Sequence, residues 1–421
     1  MRKLIRAKVY IVWVALAAPA LAQAPPYDLL LRGGRVIDPK NGVDAVRDVG
    51  ITGDRIAAVE ENIAPASAKK SIDVSGLYVT PGLVDIHAHF YVHLTAPGTL
   101  LDRSPSVIPD HALFRTAVTT AVDVGTTGWR NFPDLRSRII ERSKARVLAM
   151  LNIVGAGIIN YEAEQNPHDM DPEKTAEMAK QHSDIVVGIK SAHWWAPDYT
   201  SVEKAVEAGR LAGFPVMVDF GYFLAERPYQ KMVLEILRPG DISTHFYRWP
   251  APILDENEKL LPYLAEARRR GVKFDVGHGT GSFHFRQAEP AVKQGFWPDS
   301  ISTDLHSDSI NRSMIDMLNV MSKFMAMGIP LNEVIRRSTT NPATIIKRPE
   351  LGQIAVGAEA DVAVLRLERG RYGFVDVKNG RIEGTERLGC EMTIRGGEIV
   401  FDFNGRVGAP WREADIDYPT R

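Results

Sequence analysis

The chain has 421 residues, 45% of them hydrophobic, and a formal net charge of −1. That length and composition allow a large core, and the absence of a basic excess argues against nucleic acid as a partner. Cys390 is the only cysteine, so an intramolecular disulfide is excluded and stability has to come from burial; the residue itself reads as a small apolar side chain in a late strand.

At the amino end, Arg2, Lys3, Arg6 and Lys8 precede an apolar stretch from Val9 to about Ala18, and Ala20-Leu-Ala22 precedes Gln23. This is the layout of a secretory signal peptide with an A-x-A cleavage site, and the apolar part is too short for a comfortable transmembrane helix. Residues 1–22 are expected to be removed after Ala22. The product would be a bacterial periplasmic or secreted protein without a stable membrane span; an uncleaved anchor is the lesser reading. Losing those residues removes four cations and no anion, leaving 47 Lys+Arg against 52 Asp+Glu, a net of −5.

Residues 31–38 (LRGGRVID) and 394–402 (IRGGEIVFD) echo each other, each reading as strand, glycine turn and strand with an Asn-Gly step nearby. Such hairpins are too small to stand alone. Residues 25–80 and 352–410 are therefore expected to pair into one small β-sandwich, with residues 81–350 inserted between them. Inside that insertion, apolar β-branched runs recur at 84–89, 119–125, 146–154, 185–190, 215–220, 242–247, 273–279 and 300–306, and helical composition separates several of them, as at 171–182 and 202–212. Eight strands alternating with helices make an α/β fold of the (β/α)8 TIM-barrel type. A doubly wound open sheet is the alternative, but it does not bring the ends of strands one, four, six and eight to one point.

The most informative residues lie at those ends. The run Pro81-Gly-Leu-Val-Asp-Ile-His-Ala-His-Phe90 delivers His87 and His89, two apart and so on one side of a strand, where they can bind one ion together. Taken alone, this motif leaves an ordinary buried strand with incidental histidines as the lesser reading. The later runs decide: one ends in Lys190, one in His245 and one in Asp304. In a parallel barrel these ends converge on one face, where such enzymes keep their chemistry.

With these residues in place the chain resembles the amidohydrolase superfamily of metal-dependent hydrolases over nearly all of its length beyond residue 22. The segments VVGIKSAH, GDISTHFY, FDVGHGTGSF and ISTDLHSDS are similar to its amidohydrolase/deacetylase branch, whose members often carry dihydroorotase-like or adenine-deaminase-like labels. The resemblance implies two divalent metal ions. His87, His89 and Asp304 would hold the first, and a carbon dioxide-derived carbamate on Lys190 would bridge to the second. Zinc suits imidazole and carboxylate donors, and manganese, iron, cobalt and nickel share those ligand types. Many relatives place a histidine at the end of strand five, whereas this chain has Asp219 there. The second metal would then rest on Lys190, His245 and Asp219, with His193 as a substitute donor or a substrate contact.

The implied chemistry is hydrolysis of an amide or ester by a metal-bridging hydroxide, with Asp304 moving the proton. His278, between two glycines, is expected to contact the substrate or the oxyanion, and His306 to steady the site. Aromatic residues in the loops, with Arg130 and Arg248, would shape a pocket for a small-molecule acid. An N-acyl amino acid or O-acyl hydroxy acid is the expected substrate, a cyclic amide of the dihydroorotate or hydantoin kind the enzymatic rival, and a non-catalytic interaction protein the reading from another class. Nothing in the sequence excludes a homo-oligomer.

Overall fold

The computed structural model describes residues 25–91 and 106–414. The expected signal peptide with its cleavage point at Ala22 lies outside the described residues. Among the described residues no helix is long and apolar enough to cross a membrane.

Strands β1 (Tyr27–Asp38), β2 (Val43–Thr52), β3 (Arg55–Glu60), β4 (Ala68–Asp73) and β5 (Tyr78–Pro81) open the fold. Then come β6 (Leu83–Ala88), β7 (Val118–Gly128), β8 (Arg146–Asn152), β9 (Val186–Ser191), β10 (Val216–Val218), β11 (Ile242–Ser243) and β12 (Lys273–Phe274). The chain closes with β13 (Val362–Val375), β14 (Arg381–Arg395) and β15 (Glu398–Asp402). The first and last groups form one sheet in the order β15-β14-β13-β5-β1-β2-β3, with β4 also paired to β1. The two ends of the chain meet where Val362 to Leu365 pair antiparallel with Pro81 to Tyr78. Instead of two separate layers, a single hydrogen-bonded path encloses its own apolar interior, lined by Leu31, Val36, Val49, Ile72, Val364 and Met392.

The middle group forms a seven-stranded parallel sheet in chain order from β6 to β12. Its strands are covered on both faces, so β6, β7 and β9 are buried at every position, as parallel strands packed under helices must be. An eighth strand expected at 300–306 is absent as a regular element. That segment nevertheless bridges both edges of the sheet, at Asp275 with Ser300 and at Ala88 with Leu305. Five backbone hydrogen bonds complete the join, from Val276 to Ser300, His278 to Ser302, Gly279 to Thr303, Leu305 to His87 and His89 to Leu305. The expected strands at 242–247 and 273–279 shrink to two residues each. The reason is local: His245, Gly277, Gly279 and Asp304 all take positive φ, which breaks the extended ladder while the neighbouring backbone bonds survive.

Early residues of six strands, Val84, Val122, Leu148, Val187, Met217 and Ile242 among them, pack with Ala343, Ile345 and Leu351 and seal one end of this sheet. The expected site residues come from the other end. The two sheets are held together at Asp361, just before β13. Its carboxylate accepts from Arg146 Nη1 of β8 at 2.6 Å and from Arg395 Nη1 of β14 at 3.1 Å.

His278 does not reach the site as a substrate or oxyanion contact. Its ring is fully buried and stacks on Phe283 at 4.6 Å with planes 15° apart. Nδ1 donates to the Gly279 carbonyl at 3.0 Å, and Nε2 accepts from Lys323 Nζ at 2.7 Å. With both nitrogens committed, the imidazole has no lone pair left for chemistry. Lys323 sits on the helix Met317–Ala326, is fully buried, and also donates to the Ser313 carbonyl. Burial pushes its ammonium down to about 7 from an ordinary 10.5, with Asp376 and Asp316 opposing.

Two outcomes are expected from these links. Asp361→Ala leaves Arg146 and Arg395 with Glu359 as their remaining charged acceptor and should cost about 2 kcal/mol, read as a fall in the thermal midpoint; an unchanged midpoint would remove Asp361 from the stability argument. For Lys323, between pH about 7 and 10.5 the unfolded chain binds a proton that the folded chain does not. Its contribution therefore becomes less favourable as pH falls through that window and is constant below it. Wild-type stability relative to Lys323→Met should rise with pH from 7 to 10.5, and a gap independent of pH would contradict the depressed ammonium.

Candidate metal centre

His87 lies within β6 and His89 one residue past its end, and the ε nitrogens of both face Asp304 Oδ1, at 3.5 Å and 3.1 Å. The remaining nitrogens are fixed from behind. His87 Nδ1 meets Thr244 Oγ1 at 3.0 Å, and that hydroxyl donates to Asp275 at 2.7 Å. His89 Nδ1 meets Thr126 Oγ1 at 3.0 Å, and that hydroxyl donates to Asp123 at 2.9 Å. A hydroxyl that gives its proton to a carboxylate can only accept from the imidazole, so each Nδ1 carries the hydrogen and each Nε2 presents a lone pair. His245 repeats the arrangement, with Nδ1 donating to the Gly277 carbonyl at 2.6 Å. Ligand atoms of His87, His245 and Asp304 lie within 4.8 Å of one another.

Lys190, at the end of β9, is buried, with Nζ 3.3 Å from His87 Nε2. A Cβ on Gly125, whose φ is +81°, would come within 2.8 Å of the lysine stem, so the glycine leaves room for this side chain. Asp219 follows β10 and joins the group from the other side. Its Oδ2 lies 3.4 Å from His245 Nε2 and 3.2 Å from His193 Nε2, while Oδ1 accepts from Gly221 N at 2.8 Å. Arg248 Nη1 stands 3.7 Å from Asp219 Oδ1. His306 Nε2 is 3.9 Å from Asp304 Oδ2, beside the group as expected.

Charge follows the same geometry. Burial, reinforced by Lys190, pushes His87 down to about 3. Burial also depresses Lys190, against the pull of Asp219 and Asp304. For Asp304, burial acts upward, but His87, His89 and His245 outweigh it and hold the carboxyl well below its usual range. Imidazole nitrogens and carboxylate oxygens thus share one buried cluster, a donor set suited to a divalent cation.

The expected residue Arg130 is not brought here. It pairs instead with Asp169 at 2.5 Å and lies over the Trp129 ring. Several loop aromatics also belong to packing: Trp194, Tyr199 and Tyr247 are buried, whereas Trp195, Tyr222 and Trp249 remain exposed. Sequence reading missed Thr126, Thr244, Asp123, Asp275, Glu164 and Lys323. For Thr126 and Thr244 a signal existed, since each lies at the end of a strand beside a proposed ligand or strand terminus. A cavity of about 440 Å³ opens at the opposite end of the sheet, but its Arg238 is taken by Asp241 and its Lys347 by the Gly213 carbonyl.

Comparison with known proteins agrees with this geometry. Residues 297–401 match the model of the Amidohydro_3 amidohydrolase family. A deacetylase of Agrobacterium fabrum is 33% identical over 360 residues, covering 83% of this chain and 85% of that protein. Among solved structures, one described as an adenine deaminase aligns with a TM-score of 0.80 at 28% identity, covering 90% of this chain and 100% of that one. A second, described as a dihydroorotase, aligns with a TM-score of 0.77 at 28% identity, covering 89% and 99%. Placed beside a half-ring of parallel strands that ends in His-x-His, Lys, His and Asp, these likenesses show that the chain belongs to the amidohydrolase superfamily of hydrolases, in its amidohydrolase/deacetylase branch.

Proposed function

We propose that this protein is a metal-dependent deacylase, a complete (β/α)8 barrel closed through residues 300–305, that cleaves the amide or ester bond of a small acyl acid. One observation carries the reading: the Nε2 atoms of His87, His89 and His245, each with its Nδ1 committed elsewhere, converge on the carboxylates of Asp304 and Asp219, electron pairs that a divalent cation would hold together. His87, His89 and Asp304 would hold one ion, and His245 with Asp219 the other. Lys190, whose ammonium form burial disfavours, would take up carbon dioxide as a carbamate; its nitrogen forms the new N–C bond and releases one proton. When bound, two divalent ions, zinc by donor type, supply hydroxide at neutral pH and polarise the scissile carbonyl.

The chain's own groups do the rest. Asp304 accepts the proton of the attacking water at Oδ2, the oxygen turned away from His89, and returns it to the departing amine or alkoxide. Arg248, whose side chain is part exposed beside Asp219, is the cation that would anchor a substrate carboxylate. The amino-terminal layout supports a periplasmic or secreted site of action. Likeness to a protein described as a dihydroorotase favours a cyclic amide as the second reading.

Purified protein should hold close to two divalent ions per chain and lose turnover on chelation. Asp304→Asn should lower turnover about 10²- to 10⁴-fold with little change in melting, and a short carboxylic acid should partly rescue Lys190→Ala. Full activity in a metal-free sample, or wild-type rates in either variant, would end the corresponding assignment. In a substrate panel, linear N-acyl amino acids or O-acyl hydroxy acids should outrun dihydroorotate, hydantoins and adenine, and Arg248→Ala should raise KM for the acids far more than for their amides. Preference for a cyclic amide would transfer the site to the second reading.

A further inference from the structure

Glu164, in the loop after β8, is fully buried, and the sequence gives no reason to notice it. Its Oε2 lies 2.6 Å from His193 Nδ1, while Oε1 is buried with no hydrogen-bond partner. His193 Nε2 in turn lies 3.2 Å from Asp219 Oδ2, the oxygen that also faces His245. Both ends of the histidine ring are thus held by carboxylates, and its edge packs against Tyr161 at 5.0 Å. The backbone of His193 takes a left-handed φ of 50°, a conformation that has to be maintained by its surroundings. Gln165, next to Glu164, donates to the His193 carbonyl and accepts from Trp195 N, tying the two loops at the same place.

From this chain of contacts we infer that Glu164 and His193 are positioning residues. They orient Asp219 so that a carboxylate from strand five serves where relatives place a histidine, and His193 works through Asp219 and not as a metal donor. A carboxylate is shorter than imidazole and has more freedom at its last torsion. A hydrogen bond from His193 to Oδ2, with Gly221 N on Oδ1, leaves it one orientation toward His245. Glu164 supplies the second link of a carboxylate–histidine–carboxylate relay, the kind of outer contact whose loss weakens metal binding about 10- to 100-fold.

The inference rests on the two-ion reading above, and the test separates the two. Metal-free wild type, Glu164→Ala, His193→Ala and His193→Gln are titrated with Co²⁺, following the visible absorption of the bound ion and the number of ions retained after gel filtration. Circular dichroism checks that each variant is folded. Wild type should take two ions. Glu164→Ala and His193→Ala should keep the first with unchanged affinity and bind the second about 10- to 100-fold more weakly. His193→Gln, whose amide still donates to Asp219, should recover most of that loss. Wild type with one ion at any concentration ends both the two-ion reading and the inference. Two ions of wild-type affinity in the alanine variants overturn the inference alone, and so does a glutamine variant as weak as alanine, which would make His193 a donor. Should the alanine variants be unfolded, the glutamine variant against wild type carries the test.

Discussion

Everything at the centre depends on which nitrogen of each imidazole is free. Three histidines from two strand ends have Nδ1 committed, to Thr244, Thr126 and the Gly277 carbonyl, so that three ε lone pairs face inward. The hydroxyls can accept only because Asp275 and Asp123 take their protons. Those aspartates are themselves satisfied: Ser300 and Ser302, from the segment that joins the sheet's edges, donate to Asp275, and Phe90 N, just past β6, donates to Asp123. The site is consequently not a set of side chains laid on a scaffold. It is the inner end of a hydrogen-bond network whose outer end is the segment joining the two edges of the parallel sheet, so a change at Ser300 or Ser302 reaches His87 through Asp275 and Thr244 without touching the imidazole.

The terminal sheet answers a different need. Its strands come from residues more than 250 apart, and β1 pairs with β2, β4 and β5. Neither half could bury its apolar face alone. Pairing β5 with β13 lets β6, the first strand of the parallel sheet, begin just after β5 ends, with only Gly82 between them. A Cβ on Gly82 would fall 2.2 Å from Thr119 Oγ1, so the chain passes from one sheet to the other where only glycine fits.

Much of this was legible in the sequence. His-x-His after an apolar run, and Lys190, His245 and Asp304 each closing a later run, gave the donors and the parallel order of the strands, because burial and strand periodicity leave a pattern along the chain. Strand length was not legible at 242–247, 273–279 and 300–306: β-branched composition reports burial, whereas the ladder is ended by positive φ. Arg130 was misjudged because its owner, Asp169, lies 39 residues further on. Glu164 and Lys323 carried no signal, since a lone charged residue in a loop or on a helix looks solvent-exposed until the fold covers it. His278 looked like a site residue for the same reason reversed, a histidine between two glycines whose partner is supplied by a distant helix.

Three of the central residues, His193, His245 and Asp304, hold φ between 50° and 56°. Left-handed backbone is tolerated by asparagine, aspartate and histidine more readily than by other side chains bearing a Cβ, and is hostile to β-branched ones. The residue types that ligate or orient a cation there are thus nearly the same as those the main chain will accept. Drift at these positions is confined to a small alphabet before any catalytic selection acts, so a lineage that loses the metal would be expected to drift toward asparagine or glycine there, keeping the shape of the site after its chemistry has gone.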